Sequence, residues 1–149
     1  MSSADAPEPA SATPPKNARV SGVGRVLIVC YGVLALAATG RSFVQIAQRF
    51  AEAPLAYSLS ALAALVYIAA TIALVRGRSA RRLAWLTIGF ELAGVLAIGT
   101  VSQFFPELFP RDTVWSHYGS GYLFIPLVLP VLGMLWLRRQ DRSASGASA

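Results

Sequence analysis

A chain of 149 residues that is 55% hydrophobic and only 13% charged is too short for two domains and too apolar for a soluble one, so it reads as one membrane domain with tails. Its net charge of +6 would suit nucleic acid, but the basic residues flank apolar runs rather than an aromatic-rich soluble face, so membrane topology explains them and no nucleic-acid partner is expected. The single cysteine, Cys30, excludes an internal disulfide or a CxxC redox pair, and inside an apolar run it reads as a small packing residue.

Residues 1–24 are rich in Pro, Ala and Ser and lack apolar periodicity, the pattern of a disordered tail. The first apolar run follows Arg25 and spans about 26–46. Arg25, the apolar stretch behind it and the small residues Ala35, Ala37 and Ala38 imitate a secretory signal, but the long preceding tail and the helical pattern beyond argue for a retained span. At its far end Arg41, Gln45, Gln48 and Glu52 recur at helical spacing, with Cys30, Leu34 and Ala37 on the same stripe deeper in. Arg41 lies about 24 Å beyond Arg25 along a straight helix, near enough to the interface for its guanidinium to snorkel to headgroups; a ligand-binding role is the alternative.

Spans 56–75 and 83–101 follow, each close to the length that a hydrocarbon core of about 30 Å requires. The loop between them carries Arg76, Arg78, Arg81 and Arg82, so the pair reads as a hairpin with a cytoplasmic turn. Ser60, Ala64, Tyr67 and Thr71 share one face of the second span, and Thr87, Glu91 and Ser102 share one face of the third. Counted from the arginine loop, Thr71 faces Thr87 and Tyr67 faces Glu91 at equal depth. The opposite side of the third span carries Gly89, Ala93 and Ala97, a ridge suited to close helix packing.

Glu91 demands a reason, because an acid about 13 Å into the apolar layer costs about 2.5–3.5 kcal/mol even on the forgiving insertion scale. Glu91, Tyr67, Thr71 and Thr87 therefore form the candidate intramembrane polar site. Two readings stand side by side. In one, Glu91 is a proton or cation relay, or anchors a cationic substrate; in the other it is a neutral acid bonded to Tyr67 or a backbone carbonyl that locks the hairpin.

The loop 102–119 holds Phe104, Phe105, Leu108, Phe109, Trp115 and Tyr118, more apolar surface than a solvated loop carries, so it lies on the headgroup layer or folds over the bundle mouth. His117, with Asp112 and Glu107 nearby, has no recognised ligand spacing, and no nucleophile and base share a motif. Neither a metal, a cofactor nor a catalytic residue is expected. The fourth span, about 120–137, starts at Gly119-Ser120-Gly121, is kinked by Pro126 and Pro130, and leads through Arg138, Arg139 and Arg142 to a disordered tail at 140–149. Shaping of helix packing and lining of a substrate path are the two roles open to these prolines.

Ten of the thirteen basic residues fall on one side of this arrangement, and only Arg41, Arg49 and Arg111 on the other. An all-α, integral membrane four-helix bundle with both termini cytoplasmic satisfies the positive-inside rule at every loop. Trp85 and Trp136 then mark the inner interface, and Tyr57, Trp115, Tyr118 and Tyr122 the outer one. The runs LAATGRS from Leu36, APLAY from Ala53 and VWSHYGSGYLFIPLVLP from Val114 resemble small four-span integral membrane proteins of actinobacteria, over residues 25–139. That resemblance implies a bacterial plasma membrane and no particular activity. The expected function is a non-enzymatic accessory or assembly subunit, whose partners are the bilayer and another membrane protein or a second copy; the alternative is a small oligomeric proton- or cation-coupled transporter using Glu91.

Overall fold

Long uncharged runs of Ala, Leu, Val and Ile can be buried in an apolar medium only if every backbone N–H and C=O is bonded within the segment, which selects the helix. In the computed structural model, residues 22–146 are described, and all their regular structure is helical. The expected tails lie outside the described residues except for 22–24 and 140–146. Four helices carry the fold: α1 (Gly22–Arg49), α2 (Pro54–Arg76), α3 (Arg81–Phe104) and α4 (Ile125–Gly146).

The stretches Gly22–Glu52 and Pro54–Phe104 are long and apolar enough to cross a membrane. At 51 residues the second would reach roughly 76 Å if straight, more than twice a hydrocarbon core. It folds back instead at Gly77, whose φ of 61° and ψ of −125° suit only glycine, and whose N–H bonds to the carbonyls of Ala73 and Leu74. Leu65, Val66 and Ala69 of α2 consequently sit across a shared groove from Leu86, Thr87 and Phe90 of α3, the expected hairpin. Pro54 lies in the first turn of α2, where its missing N–H has no intrahelical partner to lose.

Packing neighbours run in a closed order: α1 against α2, α2 against α3, α3 against α4, and α4 back against α1. Of the two diagonals, α1 and α3 meet through side chains that reach the middle, Tyr31 and Glu91. The buried stripe of α1 is Leu27, Tyr31, Leu34, Ala35, Ala38 and Ser42. This lies one residue round from the Cys30, Leu34 and Ala37 stripe expected from sequence; Ala37 is exposed and Cys30 only half-buried.

The chain after α3 departs most from expectation. Residues 120–124 do not continue the last helix: Ser116–Tyr122 forms a separate turn bent by 98° against α4, and only together are the two long and apolar enough to cross a membrane. The sharp change of direction lies at Leu123 and Phe124, with φ of 55° and 59°, ahead of both prolines. Pro126 stands in the first turn of α4, harmless there, and Pro130 is the proline inside the helix. At the other end α4 does not stop near Leu137 but continues to Gly146, so residues 140–146 are helical rather than disordered. Arg81 explains the extension. Its guanidinium pairs with Asp141 at 2.7 Å, donates to Gln140 Oε1 at 2.9 Å and reaches the Leu137 carbonyl, tying the start of α3 to the end of α4.

The aromatic loop folds into the bundle because α3 presents glycine where the loop arrives. A Cβ on Gly94 would stand 2.9 Å from the Trp115 ring, and one on Gly99 would stand 2.6 Å from Tyr118 Cδ1 and 2.9 Å from the Tyr118 backbone nitrogen. Gly99→Ala should therefore lower stability by about 1–3 kcal/mol, read as a lower melting midpoint of the purified protein in detergent. Gly40→Ala, whose added Cβ meets nothing within 4 Å, should leave the midpoint unchanged or slightly higher.

Candidate functional site

All four helices contribute to one layer in the middle of the bundle. Tyr31 comes from α1, Tyr67 from α2, Ile88 and Glu91 from α3, and Gly133 from α4. Tyr31, Tyr67, Ile88 and Glu91 are each fully buried. Gly133 is the residue of α4 that makes room, since a Cβ there would stand 3.1 Å from Ile88 Cδ1 and 3.8 Å from the Tyr31 hydroxyl. Along α1 the spacing of Leu27, Tyr31, Leu34 and Ala38 follows the helical repeat, which aims the phenol at the bundle axis.

Across the diagonal, the Tyr31 hydroxyl donates to Glu91 Oε2 at 2.6 Å. Glu91 Oε1 has no hydrogen-bond partner among the described residues. The Tyr31 and Tyr67 rings lie 6.3 Å apart at 52°, a tilted aromatic pair, so α2 supports the clasp through a ring rather than a hydrogen bond. Tyr67 gives its hydroxyl elsewhere: the Trp115 indole N–H donates to it at 3.2 Å. The expected Tyr67–Glu91 bond is replaced by two separate bonds, Tyr31 to Glu91 and Trp115 to Tyr67.

Thr71 and Thr87 turn their hydroxyls back to their own helices. Thr71 donates to the Tyr67 carbonyl at 2.7 Å, and Thr87 to the Leu83 carbonyl at 2.8 Å, each within its own helix. Membrane hydroxyls satisfied in this way need no partner across the bundle.

The loop delivers Trp115 to the layer. Thr113 and Ser116 tie the turn: the Thr113 N–H donates to Ser116 Oγ, and the Ser116 N–H to Thr113 Oγ1, both at 2.9 Å. Trp115 is 2% exposed and lies edge-on to Phe90 at 6.3 Å, so it is a core residue and not the interfacial marker expected. Tyr57, placed with it at the interface, is buried too. His117 is held by its backbone, which donates to Ser102 Oγ at 2.9 Å; its Nε2 stands 3.6 Å from Asp112 Oδ1, with the ring partly open to the surface. Arg41 does more than snorkel. It donates to the Asp112 carbonyl at 2.9 Å and to the Tyr122 hydroxyl at 3.4 Å, and lies 5.9 Å from the Tyr122 ring centre, clamping both arms of the loop to α1. Gln45 lines a cavity beside it.

Sequence reasoning found Glu91 and Tyr67 but missed Tyr31, Trp115 and Gly133. A tyrosine inside an apolar span, with no charge beside it, was the available signal for Tyr31. The ridge of Gly89, Ala93 and Ala97 is divided: Gly89 faces Met134 of α4, while Ala93 and Ala97 are exposed. Compared with known proteins, the chain matches no family model, no curated protein and no solved structure.

The layer can hold a buried carboxyl and couple the diagonal helices through it. Tyr31→Phe strands that carboxyl and should cost about 1–3 kcal/mol, measured by denaturation in mild detergent. The Tyr31→Phe, Glu91→Leu double variant should lose clearly less than the sum of the two singles, since both partners are then apolar. Tyr67→Phe should show this coupling with Trp115→Phe. Additive losses at Tyr31 and Glu91 would contradict the bond.

Proposed function

We propose that the chain is a four-span protein of a bacterial plasma membrane, with both termini in the cytoplasm, and serves as a non-enzymatic accessory or assembly subunit of a membrane complex. The observation that carries this reading is how its polar groups are used. Glu91, Tyr31, Tyr67, Thr71 and Thr87 bond to neighbouring side chains or to their own helices, holding the bundle together. Meanwhile Leu86, Phe90, Ala93 and Ala97 form an exposed stripe at helical spacing along α3, two large residues followed by two small ones. Small exposed residues on a membrane helix let another helix approach closely. Ten of thirteen basic residues on one side supports the topology, and the bent pair ending in α4, long and apolar enough to cross if it is one span, supports a fourth crossing.

A proton- or cation-coupled carrier is the second reading, favoured by the unpartnered Oε1 of Glu91 at the bundle axis. Two measurements on the full chain separate the readings. A photoreactive residue at Ala97 in native membranes should yield a discrete protein adduct, and the same probe at the exposed Val33 of α1 should not. Proteoliposomes should dissipate proton and cation gradients no faster than empty vesicles, with Glu91→Gln making no difference. A flux abolished by Glu91→Gln, with no adduct from Ala97, would replace the subunit with the carrier.

A further inference from the structure

The basic residues that fall on the outer side in sequence are few, and the fold gathers them. Arg41 and Arg49 from α1 and Arg111 from the aromatic loop line a single cavity of about 380 Å³ together with Gln45, Gln48, Tyr57 and Asp112. Its volume falls within the range of about 300–1,000 Å³ usual for small-ligand sites. Three stretches of chain build it: the last turns of α1, the start of α2 at Tyr57, and the loop at Arg111 and Asp112. A continuous basic loop such as Arg76 to Arg82 needs no fold to bring its charges together; this group does.

The charges are unequally engaged. Arg41 is occupied by the Asp112 carbonyl and Tyr122. Arg111 pairs with Glu52 at 3.3 Å, both half-exposed, and Asp112 faces His117 at 3.6 Å. The Arg49 side chain is exposed and has no ion pair or hydrogen bond among the described residues, so its planar fork of donors faces solvent and is open to a ligand. Within the cavity lining, Gln45 Oε1 is buried without a partner among the described residues. A buried acceptor left unpaired costs about 1–3 kcal/mol, which a water entering with the ligand would recover by donating to it.

We propose that this cavity is a binding site for a phosphate-bearing anion, held by Arg49 and Arg111 and framed by Arg41. A guanidinium matches two phosphate oxygens in parallel, and a site beside partly exposed apolar helices admits that chemistry from a lipid headgroup or from a free organic phosphate. The lipid source rests on the membrane reading above; the free source does not.

The test uses the delipidated full chain in detergent, with added phosphatidylglycerol counted by native mass spectrometry and glycerol 1-phosphate followed by calorimetric titration. Arg49→Gln should reduce binding by about tenfold without moving the melting midpoint of the ligand-free protein, because Arg49 holds no structural partner. Arg142→Gln, on the exposed face near the end of α4, is the control and should bind as the parent does. Phosphatidylglycerol retained by the parent and lost in Arg49→Gln assigns the site to a lipid phosphate; glycerol 1-phosphate binding with the same dependence assigns it to a free one. Failure of both ligands to bind, or equal binding by parent and Arg49→Gln, overturns the proposal. Neither result depends on whether Ala97 crosslinks a partner, so the two readings fail separately.

Discussion

Glu91 is fully buried at the axis of four helices, and a carboxyl in that position is tolerated only if something donates to it. The donor is Tyr31, on the helix diagonally opposite. Because α1 and α3 meet across the bundle rather than side by side, this one bond fixes their relative depth and rotation together. The rest of the layer follows. Tyr67 turns its ring to Tyr31 and its hydroxyl to Trp115, and Gly133 leaves the fourth wall open for the phenol and Ile88. The small residue on α4 is thus a consequence of the phenol and of Ile88 beside the acid.

Trp115 links that layer to the surface. Its indole reaches Tyr67 because Gly94 lacks a side chain, and the turn that carries it is closed by Thr113 and Ser116. Four non-glycine residues, His117, Tyr118, Leu123 and Phe124, adopt positive φ to bring the chain down and back out again. Left-handed backbone costs such residues about 1–2 kcal/mol each, so the buried tryptophan and the Arg41 clamp must hold the loop against it. The same clamp positions Asp112 and Arg111 at the cavity where Arg49 waits.

Much of the helical plan was legible in residues alone. Uncharged runs located most of the helices, the arginine loop located the hairpin, and the cost of an intramembrane acid singled out Glu91. Periodicity reports a face, however, and not which helix that face meets. Tyr67 and Glu91 were matched by depth on adjacent helices, whereas the partner sits on the diagonal. Thr71 and Thr87 carried the right spacing, yet a hydroxyl that bonds its own backbone looks the same in sequence as one that lines a path. Trp115 fitted an interfacial belt by composition; its burial depends on Gly94 and on left-handed turns at residues with no preference for them, which leave no local pattern. The stop expected after Leu137 failed because Arg81, far away in sequence, supplies the acceptor-seeking charge that holds Gln140 and Asp141.

The most direct measurement of the central bond is the infrared carboxyl band of Glu91, identified in lipid bilayers as the band lost in Glu91→Gln. Removing the Tyr31 hydroxyl with Tyr31→Phe should shift that band, while Tyr67→Phe should leave it in place. A band that ignores Tyr31→Phe, or moves with Tyr67→Phe instead, would show that the acid is held by a different partner and that the diagonal clasp does not exist.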